Sequence, residues 1–241
     1  MPADLQKKRA AIHATSLVKS GMVVGLGTGS TAGFAIASLR ARIEKGEIEI
    51  VGVCTSHNTE ELARDMNIPT KPLSPDLKID IYIDGADQVD PSGHMIKGGG
   101  GALLREKLVA IHASRRVIIV DESKPVPMLG GAFALPIEIV PFGHETTIER
   151  LKKMLGIQPK LRTTGKKPFL SDEGHYIVDC PFPKGIDDPR KLNVILDSVV
   201  GVVESGLFID LCDMLIVGTK DSVRITEFER QGQRKSRGHE A

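Results

Sequence analysis

Ile79-Asp80-Ile81-Tyr82-Ile83-Asp84-Gly85-Ala86-Asp87, followed by Lys97-Gly98-Gly99-Gly100-Gly101 and then Glu106, decides the fold. The apolar run over residues 79–84 reads as a buried strand closed by two acids, Asp84 and Asp87. A lysine and four glycines follow. A helix is expected next, over residues 102–113, with Leu104, Leu108 and Ile111 at i, i+4 and i+7 as its apolar stripe. Strand, loop and helix make one βα connection, and open α/β sheets bind ligands at the carboxyl ends of their strands. Asp84, Asp87, Lys97 and Glu106 bring to that connection the acids and the base that proton transfer needs. A plainer reading stands beside this one. Asp84 and Asp87 would cap a loop, the glycines would form a hinge, and Glu106 would be an exposed helix residue paired with Arg105 or Lys107.

Outward from this stretch, strands and helices alternate. A helix is expected over residues 4–20, with Leu5, Ile12, Ser16 and Leu17 at helical spacing and Gly21 ending it. Strands are expected over residues 22–26, 48–53 and 117–120, the last ending at Asp121, and helices over 31–43 and 58–66. Continuous apolar strands in this rhythm predict a parallel sheet covered on both faces.

The rhythm changes at Lys124-Pro125-Val126-Pro127. A strand over 133–140, a helix over 144–155 and a hairpin across 171–175 follow. A second helix opens at Asp188-Pro189, with Asp as cap and Pro in the first turn, and carries Leu192, Ile195, Leu196 and Val199. Val202-Val203 and Leu207-Phe208 are expected to close the unit. This β-α-β-β-α-β order predicts a small ferredoxin-like domain. Residues 213–217 then return as a strand of the first sheet. The predicted class is α/β. A Rossmann-like domain (residues 1–128 plus 205–230) is interrupted by an inserted α+β ferredoxin-like domain (129–204), and a polar tail (231–241) is expected to be disordered.

The first strand runs into Gly25-Leu26-Gly27-Thr28-Gly29-Ser30-Thr31-Ala32. Glycines admit close approach of a ligand, and a helix N-terminus offers free N–H groups to an anion. The match to G-x-G-x-x-A is weak support for a dinucleotide, because the second strand ends in Val53-Cys54-Thr55 without the acid that holds ribose. No P-loop pattern is present. The hydroxyls of Thr28, Ser30 and Thr31 suit a compact phosphate or a sugar hydroxyl, or else the loop is a tight turn with a capping hydroxyl. Lys124, after the fourth strand, is placed to face the same crevice. His57 follows the second strand and is a further candidate contact, and His94 sits near Lys97.

Composition narrows the classes. The 241 residues suit one large domain or two small ones sharing a long core. A net charge of +1 gives no field favouring nucleic acid or a membrane surface. Aromatics at 4% with no Trp argue against single-strand stacking platforms. The apolar runs are too short to span a bilayer, and the first residues lead into no signal-like apolar core. Cys54, Cys180 and Cys212 read as reduced thiols of a cytoplasmic protein, mostly core filler, and no Cys/His spacing suggests a metal. No serine lies in a G-x-S-x-G elbow.

From about residue 5 to about residue 220 the chain resembles the A-type ribose-5-phosphate isomerases. The likeness rests on ordered motifs: residues 25–32, Asp84-Gly85-Ala86-Asp87, Lys97-Gly98-Gly99-Gly100 with Arg105-Glu106-Lys107, and Asp121-Glu122-Ser123-Lys124. Gly206-Leu207-Phe208 and Ile216-Val217-Gly218-Thr219 resemble the closing strands, whereas Gln88 departs from an acid found in many members. The resemblance implies interconversion of D-ribose 5-phosphate and D-ribulose 5-phosphate through a cis-enediolate, within the pentose phosphate pathway. Glu106 would be the base, assisted by Asp84, Asp87 and Lys97. Thr28, Gly29, Ser30, Thr31, Gly85, Ala86, Gly98, Gly99, Gly100 and Lys124 would bind substrate with them. It further implies no metal or organic cofactor, and a homodimer or homotetramer with the inserted domain as a candidate contact. The main rival is a sugar-phosphate sensor of the same fold that binds without turnover. Aminosugar-phosphate deaminases, sugar lactonases and nicotinamide dehydrogenases are more distant rivals.

Overall fold

The computed structural model describes residues 3–229, and the tail over 231–241 lies outside them. The first half runs α1 (Ala3–Ser16), β1 (Val23–Leu26), α2 (Ser30–Glu44), β2 (Val51–Cys54), α3 (His57–Asp65), β3 (Ile81–Asp84), β4 (Gln88–Val89), β5 (Met95–Ile96), α4 (Leu103–His112) and β6 (Arg116–Asp121). The second half runs β7 (Leu135–Ile139), α5 (His144–Leu155), β8 (Lys160–Leu161), β9 (Thr163–Thr164), β10 (Lys167–Pro168), β11 (Tyr176–Cys180), α6 (Pro189–Asp197), β12 (Val202–Ser205), β13 (Leu207–Phe208), β14 (Met214–Gly218) and β15 (Val223–Glu227).

Six strands form the main sheet in the order β15-β14-β6-β3-β1-β2. All pair in parallel except the edge strand β15, which the sequence did not announce because its residues are mostly polar and exposed. Alternation along β6 feeds both faces. Val117 and Ile119 join Val24, Leu26, Ile83 and Ile216 in one core, and Ile118 and Val120 join Tyr82, Val109 and Leu215 in the other. The parallel sheet is thus buried on both sides, as its apolar strands require. β1 has β2 on one side and β3 on the other, so the direction of winding reverses there and opens a crevice at the carboxyl ends of β1 and β3.

Two helices turn a different face inward than expected. α1 stops at Ser16, short of Gly21, and buries Ala10, Ala11, Ala14 and Thr15 while Leu5 and Ile12 are exposed. The reason is proximity: a Cβ at Gly218 in β14 would stand 1.9 Å from the Gln6 carbonyl oxygen, so only small side chains fit beneath this helix. α4 buries Leu103, Glu106, Val109 and Ala110, leaving Leu108 and Ile111 exposed and Leu104 half-buried. Apolar residues surround this helix, so periodicity alone does not select the face that carries a glutamate inward.

β7, β8, β11 and β12 form a second, antiparallel sheet in the order β12-β7-β11-β8. α5 links β7 to β8 and α6 links β11 to β12. The Asp188 side chain accepts from the Lys191 N–H with Pro189 in the first turn, as the sequence indicated. The turn over 171–175 is present, closed by Ser171 N–H to His175 O at 2.9 Å. Leu135, Ile137, Val178, Leu151, Leu192 and Leu196 make a third core. Leu207 and Phe208 do not close this sheet; β13 pairs with β5 in a small sheet β13-β5-β4 at the rim of the crevice. Cys180 and Cys212 are buried in the cores, and burial pushes the Cys180 thiol up to about 12.

Candidate active site

The site begins with Gly27, just past the end of β1. A Cβ there would lie 2.1 Å from Asp84 Cγ, so only glycine lets the first loop pass against the acid that ends β3. Asp84 is fully buried and takes four donors. Thr28 N–H (3.1 Å) and Gly85 N–H (2.7 Å) reach Oδ1. The Tyr82 hydroxyl and Lys97 Nζ (2.9 Å) reach Oδ2. With its oxygens taken, Asp84 is absent from the cavity wall and stands behind Lys97. Asp84 thus reaches the site through Lys97.

Lys97 is the hub. Its ammonium also donates to Gly85 O at 2.6 Å and lies 3.3 Å from Glu106 Oε2. Burial pulls its pKa down, but Asp84 and Glu106 together push it above the ordinary lysine range, so it stays charged. Glu106, in the first turn of α4, is 5% exposed, and its Oε2 accepts no hydrogen bond. Burial pushes its carboxyl up to about 8, against the downward pull of Lys97 and with a further push from Asp84.

Lys97 and Glu106 open on a cavity of about 140 Å³. Asp87, Gly85, Ala86 and the glycines 98–100 form the wall around them, and Thr28, Gly29, Ser30, Thr31 and Lys124 complete it. The sequence expectations therefore converge on one crevice, Asp84 excepted. The volume is well below that of sites for drug-sized ligands. Asp87 Oδ2 accepts from Gly99 N–H at 2.8 Å, which ties the acid to the glycine loop. The Thr28 hydroxyl is turned into a cluster with Thr55, Ser56 and Thr59, so Ser30 and Thr31 are the hydroxyls left for a ligand. Lys7 of α1, not singled out in the sequence, lines the same wall and donates to Ser30 Oγ at 3.1 Å. Lys7, Lys124 and the N-terminus of α2, which has no side-chain cap, make this side electropositive.

Tyr82 was also missed, although its i, i+2 relation to Asp84 on one strand face was a usable signal. No local signal marked Lys7. His57 and His94 do not line the cavity. His57 sits between Glu60 and Arg105, and buried His94 lies against Asp210. Gln88 bonds both ends of its amide to the Gly130 backbone, at 2.8 and 2.7 Å, and so serves as a brace. Among the described residues no group of three His, Cys, Asp or Glu side chains is placed to hold a metal ion.

A buried carboxyl poised near neutrality, a fixed ammonium and an anion cradle at a sheet switch point define an α/β enzyme that moves protons on a small anionic substrate. The chain belongs to the ribose 5-phosphate isomerase A (phosphoriboisomerase A) family, whose model matches residues 51–222. It is 46% identical over 222 residues to ribose-5-phosphate isomerase A 1 of Oceanobacillus iheyensis, across 92% of this chain and 98% of that one. It superposes on ribose 5-phosphate isomerase from Plasmodium falciparum with a TM-score of 0.91 at 37% identity, covering 94% and 99% of the two chains. A D-ribose-5-phosphate isomerase solved with phospho-erythronic acid gives 0.90 at 39% identity, covering 94% and 100%.

Proposed function

We propose that this chain interconverts D-ribose 5-phosphate and D-ribulose 5-phosphate, with Glu106 carrying one proton between C2 and C1. The observation that carries this reading is the buried Oε2 of Glu106, without a hydrogen-bond partner, 3.3 Å from the Lys97 ammonium. Starting from the open-chain aldose, the Glu106 carboxylate removes the C2 proton and the electron pair moves onto the C1 oxygen. Lys97 offsets the charge of the resulting cis-enediolate. Glu106 then returns the proton to C1 as the ketone forms at C2. Asp87, on the wall, serves ring opening and proton exchange among the sugar oxygens, and Asp84 with Tyr82 holds Lys97 in place. Lys7, Ser30, Thr31, Lys124 and the start of α2 hold the phosphate. These steps use acid–base groups alone, so no cofactor is assigned. The comparisons give the sensor alternative no support.

We also infer that residues 129–204 are an inserted ferredoxin-like domain on a Rossmann-like one, which the strand order β12-β7-β11-β8 supports. A homodimer or homotetramer and a cytoplasmic setting remain part of the proposal. No helix of the described residues is long and apolar enough to cross a membrane.

The test is ketose formation from D-ribose 5-phosphate by the purified protein in EDTA, beside Glu106→Gln. Rapid conversion lost in the variant is expected. No conversion by the unaltered protein, with substrate still raising its melting temperature, would point to a sensor instead.

A further inference from the structure

Arg162 lies between β8 and β9 in the second sheet, yet its guanidinium reaches the glycine loop of the active site. Nη1 donates to Gly98 O at 2.9 Å and to Gly99 O at 3.1 Å. Nε and Nη2 form a fork on Asp179 of β11, which fixes the plane of the group. Its stem is anchored by Arg162 N–H to Ile177 O at 2.8 Å, and the Phe169 ring packs against both Arg162 and Gly101.

A trans peptide points its carbonyl and its N–H in opposite directions, and no peptide of the described chain is cis. The first peptide held by Arg162 shows the consequence. Gly98 O faces the guanidinium, and Gly99 N–H faces Asp87 on the cavity wall. In the next peptide Gly99 O again faces Arg162, while the Gly100 N–H has no partner among the described residues and Gly100 lines the cavity. We propose that Arg162 is a positioning residue that aims the Gly100 N–H at the enediolate oxygen by holding the two carbonyls on the far side. The inference rests on the isomerase reading of this site. The second sheet thereby takes part in the reaction without touching the substrate. A lysine would keep the charge but cannot serve two carbonyls and a carboxylate in one plane.

The test compares the unaltered protein with Arg162→Ala and Arg162→Lys by kcat, KM, melting temperature and a crystal structure of the loop. In Arg162→Ala, kcat should fall roughly ten- to hundredfold, because an oxyanion donor is misaimed. KM should move less than about threefold. Millimolar guanidinium should restore part of kcat, and the crystal should show the Gly99–Gly100 peptide rotated. An unchanged kcat, a loss confined to KM, or an unrotated peptide overturns the inference. Should Arg162→Ala fail to fold, Arg162→Lys carries the same comparison. If the unaltered protein forms no ketose, the isomerase reading fails instead, and the peptide's orientation in the variant crystal still decides the positioning role.

Discussion

Glu106 Oε2 lies 3.3 Å from Lys97 Nζ yet accepts no hydrogen bond. The ammonium gives two of its three N–H bonds to Asp84 Oδ2 and Gly85 O, and its charge stands beside the Glu106 carboxyl. A fully bonded carboxylate would be a poorer base, and an isolated one would stay protonated. The pair keeps a buried base within reach of ionisation.

Replacing the base isolates its contribution. Glu106→Gln should lower kcat by roughly 10²–10⁴-fold, the range for general acid–base groups, with little change in KM. Ketose formation measures it, and turnover within about twofold of the unaltered protein would reject Glu106 as the base.

The raised carboxyl predicts the pH profile. Because the ionised form is the active one, kcat/KM should climb toward pH 8 and level off above it, following a group at about 8. A rate already flat from pH 6 upward would contradict this assignment.

The same shift makes stability depend on pH. Folded Glu106 titrates at about 8 against 4.5 for the free group, so between these values the native state keeps a proton that the unfolded chain releases. Its favourable contribution is complete below pH 4.5 and is lost as pH rises through 8. Relative to Glu106→Gln, the unaltered protein should lose a few °C of melting temperature between pH 5 and 9, read by parallel thermal scans. A constant gap between the two would show that the folded carboxyl is not raised.

Tyr82→Phe removes one donor from buried Asp84. We expect a loss of about 1–3 kcal/mol in urea unfolding, the cost of leaving a buried acceptor short of a partner. The fall in kcat should be smaller than for Glu106→Gln. An unshifted urea midpoint would mean that the hydroxyl does not support the acid.

Lys7→Ala and Thr31→Val test the phosphate cradle. Each should raise KM, by about tenfold for the lysine, while kcat holds, since binding is lost equally from ground and transition states. Inhibition by inorganic phosphate should weaken in parallel. Unchanged KM in both variants would move the phosphate elsewhere in the crevice.

Much of the site was legible because Asp84, Asp87, Lys97, the glycines and Glu106 lie within one βα connection, where nearness along the chain approximates nearness in space. The parallel sheet was legible for a similar reason, since β3 and β6 are short apolar runs that must be covered on both faces. The amino-acid order by itself therefore determined the alternation of strands and helices, the crevice they form and the residue types gathered there. Which side of α1 and α4 turns inward was decided only in three dimensions, by how closely the neighbouring backbone approaches and by whether a buried glutamate finds a lysine. The arrival of Lys7 and Arg162 at the site, the retreat of Asp84 behind Lys97 and the pairing of β13 with β5 were decided there too. These are contacts between distant segments, and their energy depends on geometry that local propensity and periodicity do not encode.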